Sequence, residues 1–265
     1  MSSLGVEIGA KELRFILIEG NWIVKSGRRR FTEGVRFRDF LLNLQAELGE
    51  GGAWVVPLRG VYGRLMEPWE GEIFARLLKE TLGNLSSDLI FSYQPVGKKV
   101  FLGTALKDDL MGYYNLIKGA GFQVNSVEVP VFAAFNALWY NYPEKRGESL
   151  TMFHTEGDLL YVLQIDEGTP VLAVSRQIGG DDNRLLEYLI ELKETFLENN
   201  SDIVVSGELS TKPSVFEAIE AELEIPVIVL DPLRVFEGID KEEGLESNTL
   251  FAAALGAALK GARYA

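Results

Sequence analysis

The sequence predicts a duplicated α/β fold, two lobes of strands and helices around a cleft. Two observations carry this. First, GAKELRFILIEGNWIV near the start matches TEGDLLYVLQIDEGTPV near the middle, with Glu12-Leu13-x-Phe15-Ile16-Leu17 over Asp158-Leu159-x-Tyr161-Val162-Leu163. Each block reads as strand, tight turn, strand, turn, strand, with helices after it, and such self-similarity signals a repeated unit. Second, the polar stretch YPEKRGES, with Pro143 and Gly147, punctuates the chain between the blocks. The expected division is a first lobe over 1–148, carrying a small α+β insert at about 58–120, and a shortened second lobe over 149–265.

Period-two alternation of Val6 and Ile8, then Leu13, Phe15 and Leu17, then Trp22 and Val24 predicts an antiparallel meander. Val35, Phe40, Leu41, Leu44 and Leu48 fall on one helical face, and Gly49 is a natural stop. AWVVP at 53–57 reads as a buried strand. The insert combines a helix near 70–82, a hairpin turning at Gly97-Lys98 and a helix near 107–119. FQVNSVEVPVFAAFNALWYN adds a strand and a helix rich in small and aromatic residues.

The second half opens with strands at 150–155, 159–165 and 170–176. GGDD leads into a helix near 183–198 with Leu185, Leu186, Leu189, Ile190, Phe196 and Leu197 on its apolar side. DIVVSG and IPVIVLD are short buried strands. Between them Ser214, with Glu217 three residues on, reads as a capping box for a helix to about 223. Ser247 or Asn248 caps a closing helix, TLFAAALGAALK, whose small residues permit close packing and which Gly261 is expected to end.

Composition narrows the function classes. The chain has 265 residues, 47% of them hydrophobic, and no apolar run near the ~18 residues a membrane helix needs. The N-terminus lacks a secretion-signal pattern. Without cysteine there is no disulfide and no thiolate ligand or nucleophile, and the single histidine, His154, leaves little room for a histidine-built metal site. A net charge of −13 argues against nucleic acid as a partner. Arg28-Arg29-Arg30, just after a predicted strand, reads as a solvated turn.

In order along the chain, these segments resemble the actin-like ATPase superfamily (the duplicated ribonuclease H-like fold), and within it the PilM family of type IV pilus assembly proteins, with the cytoplasmic domain of the GspL family and FtsA as further kin. LGVEIGAKELRFILIEG resembles the first phosphate hairpin, GRLMEPWEGEIFARLLKETLG to VFLGTAL the inserted subdomain, and LIKGAGFQVNSVEVPVFAAFNALW the connecting strand and helix. VSRQIGGDDNRLLEYL resembles the GGxDxxxxxL segment, IVVSGELSTKPSVFEAIEAELEIPVIVLDPLRVFEGI the adenosine region, and NTLFAAALGAALKG the closing helix.

The resemblance implies a nucleotide clasped between backbone amides of two glycine turns, with carboxylates holding Mg²⁺. The positions it assigns are Glu7, Gly9 and Lys11 in the first hairpin, with Arg14 a further phosphate contact, and Glu156 and Gly157 in the second. Gly179, Gly180 and Asp181 belong to the GGxD segment, and Gly207 and Glu208 to the adenosine turn. A retained site would take ATP with Mg²⁺. Yet Glu7 stands where the family has aspartate, His154 aligns with the second aspartate, and Glu208 replaces the second adenosine-turn glycine. The expectation is a degenerate site with no catalytic residue and no metal ligand. It leaves a scaffold on the cytoplasmic face of the inner membrane, in a pilus or type II secretion-like platform, that grips the tail of a PilN-like membrane protein beside the insert and meets other platform subunits or a second copy of itself. An active Mg-ATP-dependent ATPase or small-molecule kinase is the alternative, and an FtsA-like filament former a third reading.

Overall fold

The computed structural model describes residues 2–31, 36–49, 51–66, 88–179, 181–196, 202–236 and 248–264. Two sheets organise it. The first runs β3-β2-β1-β4-β8 (Trp22–Arg30, Glu12–Glu19, Ser2–Ile8, Gly51–Val55, Gln123–Glu128). Strands β1 to β3 form the antiparallel meander, and β4 and β8 add in parallel.

The second sheet repeats that plan. Strands β9 (Leu150–Glu156), β10 (Leu159–Asp166) and β11 (Thr169–Gln177) are its meander, and β12 (Asp202–Gly207) and β13 (Val227–Val229) add in parallel beside β9. The internal match in the sequence is therefore a match in topology.

The insert is less self-contained than its sequence suggests. Its strands β5 (Tyr62–Met66), β7 (Lys99–Leu106) and β6 (Leu89–Val96) continue the second sheet outward from β11, giving eight strands. Ala173 pairs with Gly63, and the Ser175 N–H donates to the Val61 carbonyl at 2.8 Å. A segment that leaves the first lobe is thus stitched by backbone to the second, a pairing no local pattern announces. The helix expected near 70–82 lies outside the described residues.

Helix α1 (Phe37–Leu48) buries Leu41 and Leu44 and ends where Gly49 adopts φ +89°. In α2 (Lys107–Gly119), Asp108 and Asp109 open the first turn and Lys118 closes the last, each sign complementing the helix dipole. Helices α4 (Asp182–Phe196) and α5 (Pro213–Leu223) cover one face of the second sheet, with Leu185, Leu189, Val215 and Ile219 packed on Phe153, Leu160 and Val205.

Between the lobes the helices cross over. Helix α6 (Ala252–Tyr264) comes from the second half yet lies on β1, β2 and β4, while α3 (Pro130–Asn141) comes from the first half and lies on β9 and β10. The two pack on each other through small residues. A Cβ at Gly256 would stand 1.7 Å from the Ala133 carbonyl oxygen, and one at Gly5 would stand 2.0 Å from that of Ala254. Glycine is required because backbone meets backbone there. One apolar cluster runs from Leu41, Trp54 and Phe15 through Leu138 to Met152 and Leu163, so the lobes share a core.

Two expected helix ends need correction. Proline at the first turn, not a Ser214–Glu217 capping box, starts α5, with Lys212 at the cap position and no side-chain cap bond. Gly261 does not stop α6, which continues to Tyr264. A Cβ at that glycine would lie 2.4 Å from Ser3 Oγ, so Gly261 serves close packing instead.

Candidate functional site

The β1–β2 and β9–β10 turns meet tip to tip where the lobes face each other. A Cβ at Gly157 would come within 2.7 Å of the Ala10 methyl. Both turns present backbone amides into the cleft, and each amide already has a carboxylate. The Ala10 N–H donates to Glu156 Oε1 at 2.9 Å, and the Gly157 N–H donates to Glu208 Oε2 at 3.2 Å.

Below the turns lies a buried charge cluster. Arg14 is 1% exposed; its guanidinium donates to Glu156 Oε2 and stands 3.4 Å from Glu7 Oε2. Glu7 and Arg14 are directly paired residues of the β1–β2 hairpin, so the sheet register places them side by side. Glu7 Oε1 lies 3.6 Å from His154 Nε2, and His154 Nδ1 lies 3.0 Å from Ser206 Oγ on β12. His154 faces Ser206 because the two are register partners in the parallel β9–β12 pair. Neither Glu7 oxygen, nor Arg14 Nε or Nη1, nor His154 Nε2 has a partner in hydrogen-bonding geometry.

The carboxyls respond differently to this setting. Burial pushes Glu7 up, but Arg14, His154 and the Ala254 amide outweigh it and hold the group below its ordinary value. Burial pushes Glu156 up to about 7, and Glu7 adds to the rise against the pull of Arg14. Arg14 stays charged, because Glu7, Glu156 and Glu12 together outweigh its burial.

The residues expected at the site divide into groups. Glu7, Gly9, Glu156, Gly157, Gly207 and Glu208 converge on the cleft. Lys11 is exposed and lines a cavity of about 640 Å³ beside the turns, with Ala10, Arg28, Arg30, Lys212 and Glu208. Asp181 serves α4, accepting the Asn183 N–H at 2.9 Å. Gly179 forms an exposed turn with φ +65°, and Gly180 lies outside the described residues. Arg28 and Arg29 belong to β3 rather than a turn, paired with Glu12 at 2.8 Å and Glu47 at 2.8 Å.

Spacing from the turn glycine alters one correspondence. Glu7 is two residues before Gly9, and the residue two before Gly157 is Thr155, not His154. Thr155 Oγ1 accepts the Leu209 N–H at 2.7 Å, so this position braces the turn after β12 and supplies no carboxylate. Sequence reasoning cast Arg14 only as a phosphate contact and gave Ser206 no role. Hairpin register would have signalled Arg14, by setting it opposite Glu7.

A second cavity, of about 290 Å³, opens beside the first turn. Ile8, Gly9 and Ala10 form one wall, Phe31, Phe37 and Phe40 a second, and Pro57 and Tyr113 of α2 the third. Phe31 packs edge-on against Phe37 and Phe40, with centroids 4.9 and 5.6 Å apart. The cavity lies where the first lobe meets the insert.

Comparison with solved structures settles the architecture. Against a PilM–PilN type IV pilus biogenesis complex, the chain aligns over 98% of both chains at a TM-score of 0.80 and 17% identity. The chain has the actin-like fold of PilM. A protein of actin-like ATPase fold and unknown function from Bacteroides thetaiotaomicron aligns at TM-score 0.58 and 12% identity, over 88% of this chain and 94% of that one. The cytoplasmic domain of EpsL, an inner-membrane component of the type II secretion system of Vibrio cholerae, aligns at 0.50 and 14%, over 77% and 82%. No protein-family model and no curated protein matches the sequence. Among the described residues no helix is long and apolar enough to cross a membrane.

Proposed function

We propose that the chain is a scaffold of a type IV pilus or related inner-membrane assembly platform, and that it grips the cytoplasmic tail of a PilN-like membrane protein. The observation that carries this reading is the full-length likeness to PilM of the PilM–PilN complex, joined to an apolar cavity at the boundary with the insert. That cavity is at the small end of ligand pockets, which run from about 300 Å³ upward. Its three phenylalanines suit apolar side chains of a peptide better than a nucleotide. A chain of net charge −13 also attracts and orients a basic juxtamembrane tail.

The reading includes loss of the nucleotide site. Glu156 and Glu208 take the amides that a phosphate would need, and Arg14 brings a fixed cation where a Mg²⁺-bound triphosphate would have to enter. These residues do not fit Mg-ATP.

The test is calorimetric titration with the N-terminal cytoplasmic segments of membrane proteins encoded beside the gene. One segment binds, and Phe40→Ala or Tyr113→Ala weakens it at least about tenfold, as expected for aromatic anchors. Failure of every segment to bind, or binding that ignores both substitutions, contradicts the proposal.

A further inference from the structure

Beneath the turns, both oxygens of Glu7 and Nε2 of His154 lack a hydrogen-bond partner, and Glu156 lies beside them. We infer that Glu7, His154 and Glu156 form a protein-only site for a divalent transition-metal ion of the zinc or manganese class, filled without any nucleotide. The inference does not rest on the docking proposal, because it concerns different residues and a different ligand.

The geometry supports it first. One donor atom from each of the three residues lies within 4.8 Å of the others, and all three residues are buried. Glu7 Oε1 and His154 Nε2 are 3.6 Å apart, too far for a good hydrogen bond. Two ligands at about 2.0–2.1 Å from a tetrahedral ion stand about 3.4 Å from each other, so the gap is close to one edge of a coordination shell.

Ser206 supplies the histidine with a partner on its other nitrogen: Oγ lies 3.0 Å from His154 Nδ1, and when it accepts the proton there Nε2 is left to ligate. Nε2 is fully buried and stands 3.6 Å from Glu7 Oε1. A metal-bound histidine commonly has this arrangement, its other nitrogen held by an outer-shell partner.

Glu156 spends one lone pair on the Ala10 amide and one on Arg14, and a carboxylate retains further lone pairs for an ion. One imidazole with two carboxylates suits zinc, manganese or iron(II) better than Mg²⁺, which prefers oxygen and its own waters. A single histidine is therefore enough, because the carboxylates complete the set.

The full chain, freed of metal with EDTA and dialysed, is titrated with ZnCl₂ and separately with MnCl₂ by calorimetry, without nucleotide. One equivalent of one of these ions binds at micromolar affinity or better. Binding falls at least about 100-fold in His154→Ala, checked as folded by circular dichroism. Ser206→Ala, which keeps every ligand, weakens binding about 10–100-fold, the usual cost of losing an outer-shell partner. Should His154→Ala not fold, Ser206→Ala decides. The inference is overturned if neither ion binds, if the folded His154→Ala or the Ser206→Ala variant binds as tightly as wild type, or if Mg²⁺ binds equally well.

Discussion

Arg14 of the first lobe and Glu156 of the second are hydrogen-bonded across the cleft, and both are almost wholly buried. The pair ties the β1–β2 hairpin to the end of β9 from within. Removing one member strands the other. Arg14→Met is expected to lower stability by about 3–5 kcal/mol, the range for breaking a buried ion pair. Adding Glu156→Gln should recover part of that loss. Urea unfolding of the single and double variants checks this; a double variant less stable than the single one contradicts it.

The same carboxyl sets a pH dependence. The folded value of Glu156 is about 7, against an ordinary 4.5. Between those values the folded protein holds a proton that the unfolded chain has released. The contribution of Glu156 is therefore fully present below 4.5 and lost as pH rises through about 7. Glu7 is shifted the other way, so its contribution is present above 4.5 and lost as pH falls below it. Stability in EDTA should peak near pH 5 and decline toward 8, and Glu156→Gln should flatten the decline. An unchanged slope in that variant contradicts the assignment.

Helices α3 and α6 hold the lobes together by backbone contact. At Gly256 even one methyl meets the Ala133 carbonyl. Gly256→Val should cost at least the ~1–3 kcal/mol typical of overpacking, whereas Gly112→Ala, at a helix position with open space around it, should not destabilise. Thermal melts of the two variants make the comparison; equal melting temperatures would refute the packing account.

If Glu156 and Glu208 take the place of phosphate, their removal should free it. Glu156→Ala/Glu208→Ala leaves the Ala10 and Gly157 amides and the Arg14 guanidinium facing an open cleft. This double variant should gain measurable affinity for inorganic pyrophosphate that wild type lacks, read by calorimetry. Equal affinities for the two proteins would contradict internal occupancy.

Much of the fold was legible because its signals are local. Alternation marked the strands of both meanders, Gly49 marked the end of α1, and the repeat between Glu12–Leu17 and Asp158–Leu163 foretold two sheets of one plan. The errors fall where a distant neighbour decides. Gly261 looked like a stop until Ser3 came close to it, and residues 58–120 looked self-contained until β5 met β11. At the site, the sequence singles out Glu7, Gly9, Glu156, Gly157, Gly207 and Glu208, which lie at strand ends and the turns beside them. What the carboxylates bind was not legible, because Glu156 is 142 residues from Arg14 and Glu208 is 51 from Gly157.

The most direct measurement is calorimetric titration of the wild-type chain with Mg-ATP. No saturable heat is expected, since Glu156 and Glu208 already hold the Ala10 and Gly157 amides. Binding at micromolar affinity, with one nucleotide per chain, would contradict the account.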